Sequence, residues 1–442
     1  MIVFYLLCSV ALLIVLTVRW NVHPFLALLL VAIMYGFGAG MSPAEIILAV
    51  NTGFGETLGK IGLVIVLGVL IGAFLENTGA AYTLAEKILQ IIGRKRVPVA
   101  MNLIGYIVAI PVFGDSGFLL LAPLNKSLVK KAGLTLAGSA IALAMGLIAS
   151  HTMVPPTPGP IAAAGVLGAD LGLVLAVGIP VSILAALAGL IFARFYASRT
   201  WLDPGPDGED QELVLRLKRA PSVYKSGLPI VVPIILIVLK SVVSISGMEQ
   251  QGLGLCLSFV GEPVIALLIG LFLALFLPEK FDSKMLSASG WTGVALQSAA
   301  GIILITGAGG VFGKILQNSG IADFLGESLS GTNLGLWLPF LLATAIKTAQ
   351  GSSTVALITT ASIVLPLMPV LGLDSSMGKA VAVVAIGAGS AMVCHANDSF
   401  FWVVTQMTGM DVRTGYRLLS LGTICVGVAA MCFLYLGYLI FS

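Results

Sequence analysis

The chain has 442 residues, 58% of them hydrophobic and 10% charged, with a formal net charge of +3. Soluble domains carry roughly 25% charged residues, so the composition excludes an ordinary soluble protein and points to a polytopic one whose main partner is the lipid bilayer. So small a charge in so apolar a chain gives no ground for a nucleic-acid partner. The five cysteines, Cys8, Cys256, Cys394, Cys425 and Cys432, show no Cys-x-x-Cys spacing and suggest neither a disulfide framework nor a metal site.

In chain order, apolar runs near the roughly 20 residues a spanning helix needs occur at 2–18, 24–40, 58–75, 134–149, 171–195, 227–246, 255–277, 291–316, 379–394 and 416–441. The first is followed by Arg19-Trp20-Asn21, with no small-residue cleavage site, and reads as a spanning helix rather than a signal peptide. Two further apolar regions, 97–131 and 333–370, are interrupted at Phe113-Gly-Asp-Ser-Gly117 and Thr348-Ala-Gln-Gly-Ser-Ser353. Their limbs are short for full crossings, and re-entrant hairpins fit better. The segment 196–226, rich in Pro, Gly and charge, reads as a cytoplasmic linker. Placing Arg19, Arg94–Arg96, Lys130–Lys131 and the 194–225 loop inside, and Asp323 and Glu327 outside, satisfies the positive-inside rule with both termini external.

The two halves match in order. Gly72–Ala81 aligns with Gly313–Ala322, Gly168-Ala-Asp170 with Gly409-Met-Asp411, and Met145–His151 with Gly389–His395, and the two hairpins fall in register. Under the topology above the halves have opposite orientation. Inverted repeats with hairpins and broken helices are a transporter design, with a site near the midplane and alternating access. The expected architecture is therefore an all-α polytopic membrane protein with two inverted repeats. Its parts are N-terminal scaffold helices (1–57), a first repeat (58–195), the linker (196–226), connecting helices (227–290) and a second repeat (291–442).

Polar residues at membrane depth nominate the site, because such groups are costly unless paired or facing water. Val393–Trp402 places His395, Asn397, Asp398 and Ser399 in quick succession, which implies broken backbone lining a polar cavity. Ser150–Pro160 mirrors it: four prolines free backbone carbonyls beside His151, Thr152 and Thr157. At the first tip, Asp115 and Ser116 lie between Gly114 and Gly117; Asp115 serves as a protonatable group or simply as a water-facing tip residue. At the second, Gln350, Ser352, Ser353 and Thr354 suit an oxyanion or polyol at a helix N-terminus, or merely satisfy freed backbone. Asp398 leads the proton-coupling candidates, with Asp115, His395 and His151 beside it. Asp170 and Asp411 read as N-caps, and Lys347 as a possible partner for an anion.

The motifs His23–Leu30, Val154-Pro-Pro-Thr-Pro-Gly-Pro160, Ala349-Gln-Gly-Ser-Ser-Thr-Val-Ala356 and His395-Ala-Asn-Asp-Ser-Phe-Phe-Trp402 resemble the gluconate permease family nearly end to end. The resemblance implies proton-coupled uptake of gluconate and related sugar acids across the bacterial inner membrane, with one branch carrying D-serine. It also implies tip-bearing hairpins, elevator-like movement and a homodimer, with substrate near Asp115, Ser116, Ser352, Ser353, Asn397 and Asp398. Two positions depart from the family pattern. Asp115-Ser-Gly117 stands where Glu-Val-Gly is usual, and Thr157 where the proline run usually has His. Both touch the expected site and leave the substrate open.

The expected function is therefore uptake of a small hydroxylated carboxylate, driven by the proton gradient without a bound cofactor. Sodium coupling and a D-serine-type permease are the nearest alternatives, and a passive channel is a further one. An enzyme using His395 and Asp398 is remote, since no nucleophile motif such as Gly-x-Ser-x-Gly is present.

Overall fold

A computed structural model of the protein describes residues 2–93, 96–204, 220–246, 252–320, 335–396 and 398–441. Among them every regular element is helical. Arg94, Lys95, Asp323, Glu327, Asn397 and the centre of the linker lie outside the described residues. Six described helices are long and apolar enough to cross a membrane, or seven if one bent pair is a single span. The protein is membrane-embedded.

The first half runs through α1 (Ile2–Ile14), α2 (Pro24–Gly38), α3 (Pro43–Asn77), α4 (Ala80–Ile92), α5 (Val97–Val108), α6 (Gly114–Ala132), α7 (Leu136–Met153), α8 (Pro158–Leu167) and α9 (Leu171–Phe195). After the linker come α10 (Val223–Ile245), α11 (Leu253–Val260) and α12 (Pro263–Ala274). The second half comprises α13 (Trp291–Asn318), α14 (Trp337–Gln350), α15 (Ser353–Val364), α16 (Ser376–Ser390), α17 (Ser399–Thr408) and α18 (Val412–Ile440). The interrupted regions are the helix pairs α5/α6 and α14/α15, broken where the polar tips fall. Asp170 and Asp411 cap α9 and α18, each carboxylate accepting a backbone N–H three residues on.

Three elements differ from the apolar-run reading. The run at 58–75 is the inner part of the longer α3, whose start is fixed by a Ser42/Glu45 capping box ahead of a polar stretch that hydropathy alone passes over. The run at 255–277 is two helices bent by 70°, because Gly261 and Pro263 interrupt it. Helix α4 has no counterpart among the apolar runs, since one face carries charged groups such as Glu86 and Lys87.

Helices that correspond in the internal match pack against each other. A Cβ on Gly53 of α3 would lie 2.7 Å from the Gly310 carbonyl of α13, while Phe74 further along α3 meets Trp291 at the opposite end of α13, 5.5 Å between rings. The two helices therefore run antiparallel. On α9 and α18, Gly189 faces Val426 and Phe192 faces Gly422, again antiparallel. At the centre every residue of α7 is buried, and α16 is buried from Ala380 to its end. A helix apolar all round belongs inside a bundle. The second limb of each hairpin packs on the half-helix beyond the break in the other half, α6 on α17 and α15 on α8.

The α3–α13 contact has no room for a side chain at Gly53. Gly53→Val should destabilise the fold by about 1–3 kcal/mol, the usual range for overpacking, measured as a lower midpoint of thermal unfolding in detergent. An unchanged midpoint would mean that the two helices are not held at this spacing.

Candidate transport site

The breaks that carry the site are held open by specific hydrogen bonds. After α16, Val393 takes a left-handed backbone conformation with φ of 44°, uncommon for a β-branched residue. The next peptide is held from α18: Cys394 N–H donates to Thr423 Oγ1 at 3.0 Å, and Ser420 Oγ donates to the Cys394 carbonyl. Buried backbone groups outside a helix need such partners in a membrane. The Cys394 side chain is itself completely buried, where a thiol packs as a small hydrophobe. The first break turns through Val154–Thr157, where Thr157 Oγ1 donates to the Val154 carbonyl at 2.6 Å.

Lys347, 1% exposed, lies in the last turn of α14 and reaches past its own helix end. Its ammonium donates to the Gly351 carbonyl at the second tip and forms an ion pair with buried Asp398. The second carboxylate oxygen of Asp398 caps α17 by accepting the Phe400 N–H at 3.0 Å. The next residue, Ser399, is exposed and donates to Asp115 Oδ2 at the first tip at 2.6 Å. A continuous polar bridge thus joins the two tips through the start of α17. Phe118 and Phe400 stack edge-to-face beneath it, 6.1 Å between ring centres.

The two histidines each attend the hairpin of their own half. His151 is buried beside Gly114, with Phe113 at 6.1 Å, and its Nδ1 has no hydrogen-bond partner. His395 pairs through Nε2 with the Thr348 carbonyl at 2.7 Å and stacks on Tyr416, 6.4 Å between ring centres.

The remaining candidates divide into committed and available groups. The hydroxyls of Thr152 and Thr157 are buried on backbone carbonyls within their own segment, and Ser353 is buried on the Ser390 carbonyl at 2.9 Å. Ser352 is exposed and caps α15 through the Val355 N–H. Ser116 is half-buried in the first turn of α6, and Thr354 faces Gly159 of α8. The Gln350 amide is buried with neither its nitrogen nor its oxygen hydrogen-bonded. Asn397 lies outside the described residues.

Lys347 was legible as a lone cation in an apolar run, but nothing in the sequence said that its partner is Asp398, 51 positions away. The N-termini of α6, α15 and α17 begin within this connected set, and their positive dipole ends favour a bound anion. What the arrangement offers is a rim of an exposed hydroxyl, Ser399, and a half-buried carboxylate, Asp115, over a buried, charge-compensated pair.

A buried pair broken on one side leaves an uncompensated charge, which costs about 3–5 kcal/mol, whereas removing both partners is often near neutral. Lys347→Gln and Asp398→Asn should each lower the detergent-unfolding midpoint, and the double variant should recover most of the loss. Additive losses would show that the two side chains do not depend on each other.

The model of the GntP family permeases matches residues 1–440. A gluconate permease of Pseudomonas aeruginosa is 33% identical, over 96% of this chain and 94% of that protein. A D-serine transporter of Escherichia coli is 34% identical, over 96% of both chains, and an L-idonate transporter of the same species is 32% identical over 92% of both. Among solved structures, the YdaH transporter of Alcanivorax borkumensis superposes with a TM-score of 0.66 at 14% identity, over 94% of this chain and 98% of that one, a likeness of fold. These relatives are transporters, not enzymes. The chain belongs to the GntP family of permeases.

Proposed function

We propose that this permease is a proton-coupled symporter that takes up gluconate or a related small hydroxylated carboxylate by alternating access. The observation that carries the proposal is the polar bridge between the tips, Gly351–Lys347–Asp398 and Ser399–Asp115. It draws on both halves and ties the two hairpin tips to the start of α17 as one connected polar set. The antiparallel packing of α3 with α13 and of α9 with α18 supports an inverted repeat, the arrangement from which alternating access follows. In this reading the hairpins and broken helices carry the substrate in an elevator-like movement, within a homodimer in the bacterial inner membrane whose termini face outward.

Charge balance favours a coupled cation. Lys347 supplies one positive charge, and Asp115 and Asp398 supply two negative ones, so a substrate carboxylate enters a site that already carries net negative charge. A proton taken up on Asp115, which makes no ion pair among the described residues, relieves that repulsion. A proton reaching Asp398 would instead release the Lys347 ammonium to the substrate. Sodium fits less well, because the carbonyl and carboxylate oxygens a sodium ion would use at the second tip already hold Lys347. Ser399, Ser352 and Ser116 are placed to bind substrate hydroxyls, with Gln350 able to join once its amide turns. The zwitterion D-serine would use the same carboxylate subsite and remains the second reading, since a D-serine transporter is among the relatives.

In proteoliposomes with an inside-alkaline pH gradient, labelled gluconate should accumulate above equilibrium and an uncoupler should collapse it. Asp115→Asn should abolish accumulation while sparing exchange of internal for external substrate. Unaltered proton-driven accumulation by both Asp115→Asn and Asp398→Asn would overturn proton coupling through these carboxylates. Accumulation that follows a sodium gradient and ignores pH would select the sodium alternative, and D-serine in place of gluconate would reassign the substrate.

A further inference from the structure

Apart from the site, a second polar cavity of about 220 Å³ lies between α3 and α13 on one side and α8, the turn after α15 and the start of α16 on the other. Its lining includes Glu56, Thr57 and Lys60 of α3, Lys314 and Gln317 of α13, and Lys379 of α16. Three ammonium groups thus face one carboxylate. Lys314 stands 3.7 Å from Glu56, and Lys379 3.3 Å from Asp374 outside the lining. Lys60 is exposed and makes no ion pair or hydrogen bond among the described residues.

The place of Lys60 makes this more than a charged surface. It is the third residue of the apolar run at 58–75, within the 35-residue α3. The antiparallel register, Thr57 against Gly310 and Phe74 against Trp291, sets it opposite the middle of α13. An unpaired cation inside an apolar run is tolerated where it lines a water-filled cavity, and this cavity is the one it lines. Glu56 balances Lys314 and Asp374 balances Lys379, so Lys60 leaves the cavity with one uncompensated positive charge.

We propose that the cavity is an aqueous anion-binding vestibule, in which Lys60, flanked by Lys314 and Lys379, holds a small oxyanion of the carboxylate or phosphate type. The oxyanion comes from solution or from the headgroup of an anionic lipid entering between the helices. The vestibule depends on α3 and α13 crossing the bilayer and not on which substrate the permease carries.

The test is thiol accessibility in a variant whose five native cysteines are replaced, reconstituted in phosphatidylcholine vesicles. Gln317→Cys at the lining, with Lys60 native, should react with membrane-impermeant methanethiosulfonates, the anionic reagent several-fold faster than the cationic one. Adding Lys60→Gln should erase that preference. Slowing by inorganic phosphate would support the vestibule with a soluble anion, and slowing in phosphatidylglycerol vesicles would support it with a lipid headgroup. If Gln317→Cys does not fold, Leu365→Cys at the lining carries the same comparison. Folded protein that reacts with neither reagent, or with both equally and without an effect of phosphate or lipid, overturns the proposal. None of these readouts requires transport.

Discussion

The constraint on which the site depends is the burial of Lys347 against Asp398. An ammonium that is 1% exposed cannot be left alone in so apolar a protein, so its position fixes three pieces of backbone together: the end of α14, the turn at Gly351 and the start of α17. Because Asp398 also caps α17, the pair sets where that half-helix begins. It thereby aims Ser399 at Asp115 across the boundary between the halves. One interaction orders both tips.

Broken helices are expensive in a membrane, and this protein offsets the cost with side chains from neighbouring spans. Thr423 and Ser420 of α18 satisfy the Cys394 peptide, His395 meets the Thr348 carbonyl, and the Trp402 indole donates to the Ala396 carbonyl at 2.8 Å. The polar residues near the second break therefore divide their work. Some hold the backbone open, leaving Asp115 and Ser399 on the accessible rim. At the first break Thr152 and Thr157 are wholly committed to backbone. Thr157, one of the two positions read as a departure from the resembled pattern, is thus turned towards its own segment.

Membership of the GntP permeases and the bridge between the tips bear on different questions. The family match covers nearly the whole chain and makes it a permease, while its relatives include transporters of gluconate, D-serine and L-idonate. What distinguishes such solutes is the placement of hydroxyl and amino groups around a carboxylate. In the proposed reading, that discrimination falls to the rim around Asp115, Ser116, Ser352 and Ser399.

The sequence by itself determined the membrane class, the two interrupted hairpins, the breaks within Ser150–Pro160 and Val393–Trp402, and the N-caps at Asp170 and Asp411. Each is a local signal: hydropathy over one span, a helix breaker, or a capping side chain. It also carried the internal match, since Gly72–Ala81 and Gly313–Ala322 share a pattern that survives without any contact. Tertiary structure decided the pairings. That Lys347 meets Asp398, that Ser399 reaches Asp115 and that Ser353 bonds the Ser390 carbonyl depend on how separate helices cross, which no local pattern encodes. Helix α4 and the outer half of α3 escaped a hydropathy reading for a related reason. Their polar faces are tolerated because of where the bundle places them, and Lys60 lines the polar cavity beside it.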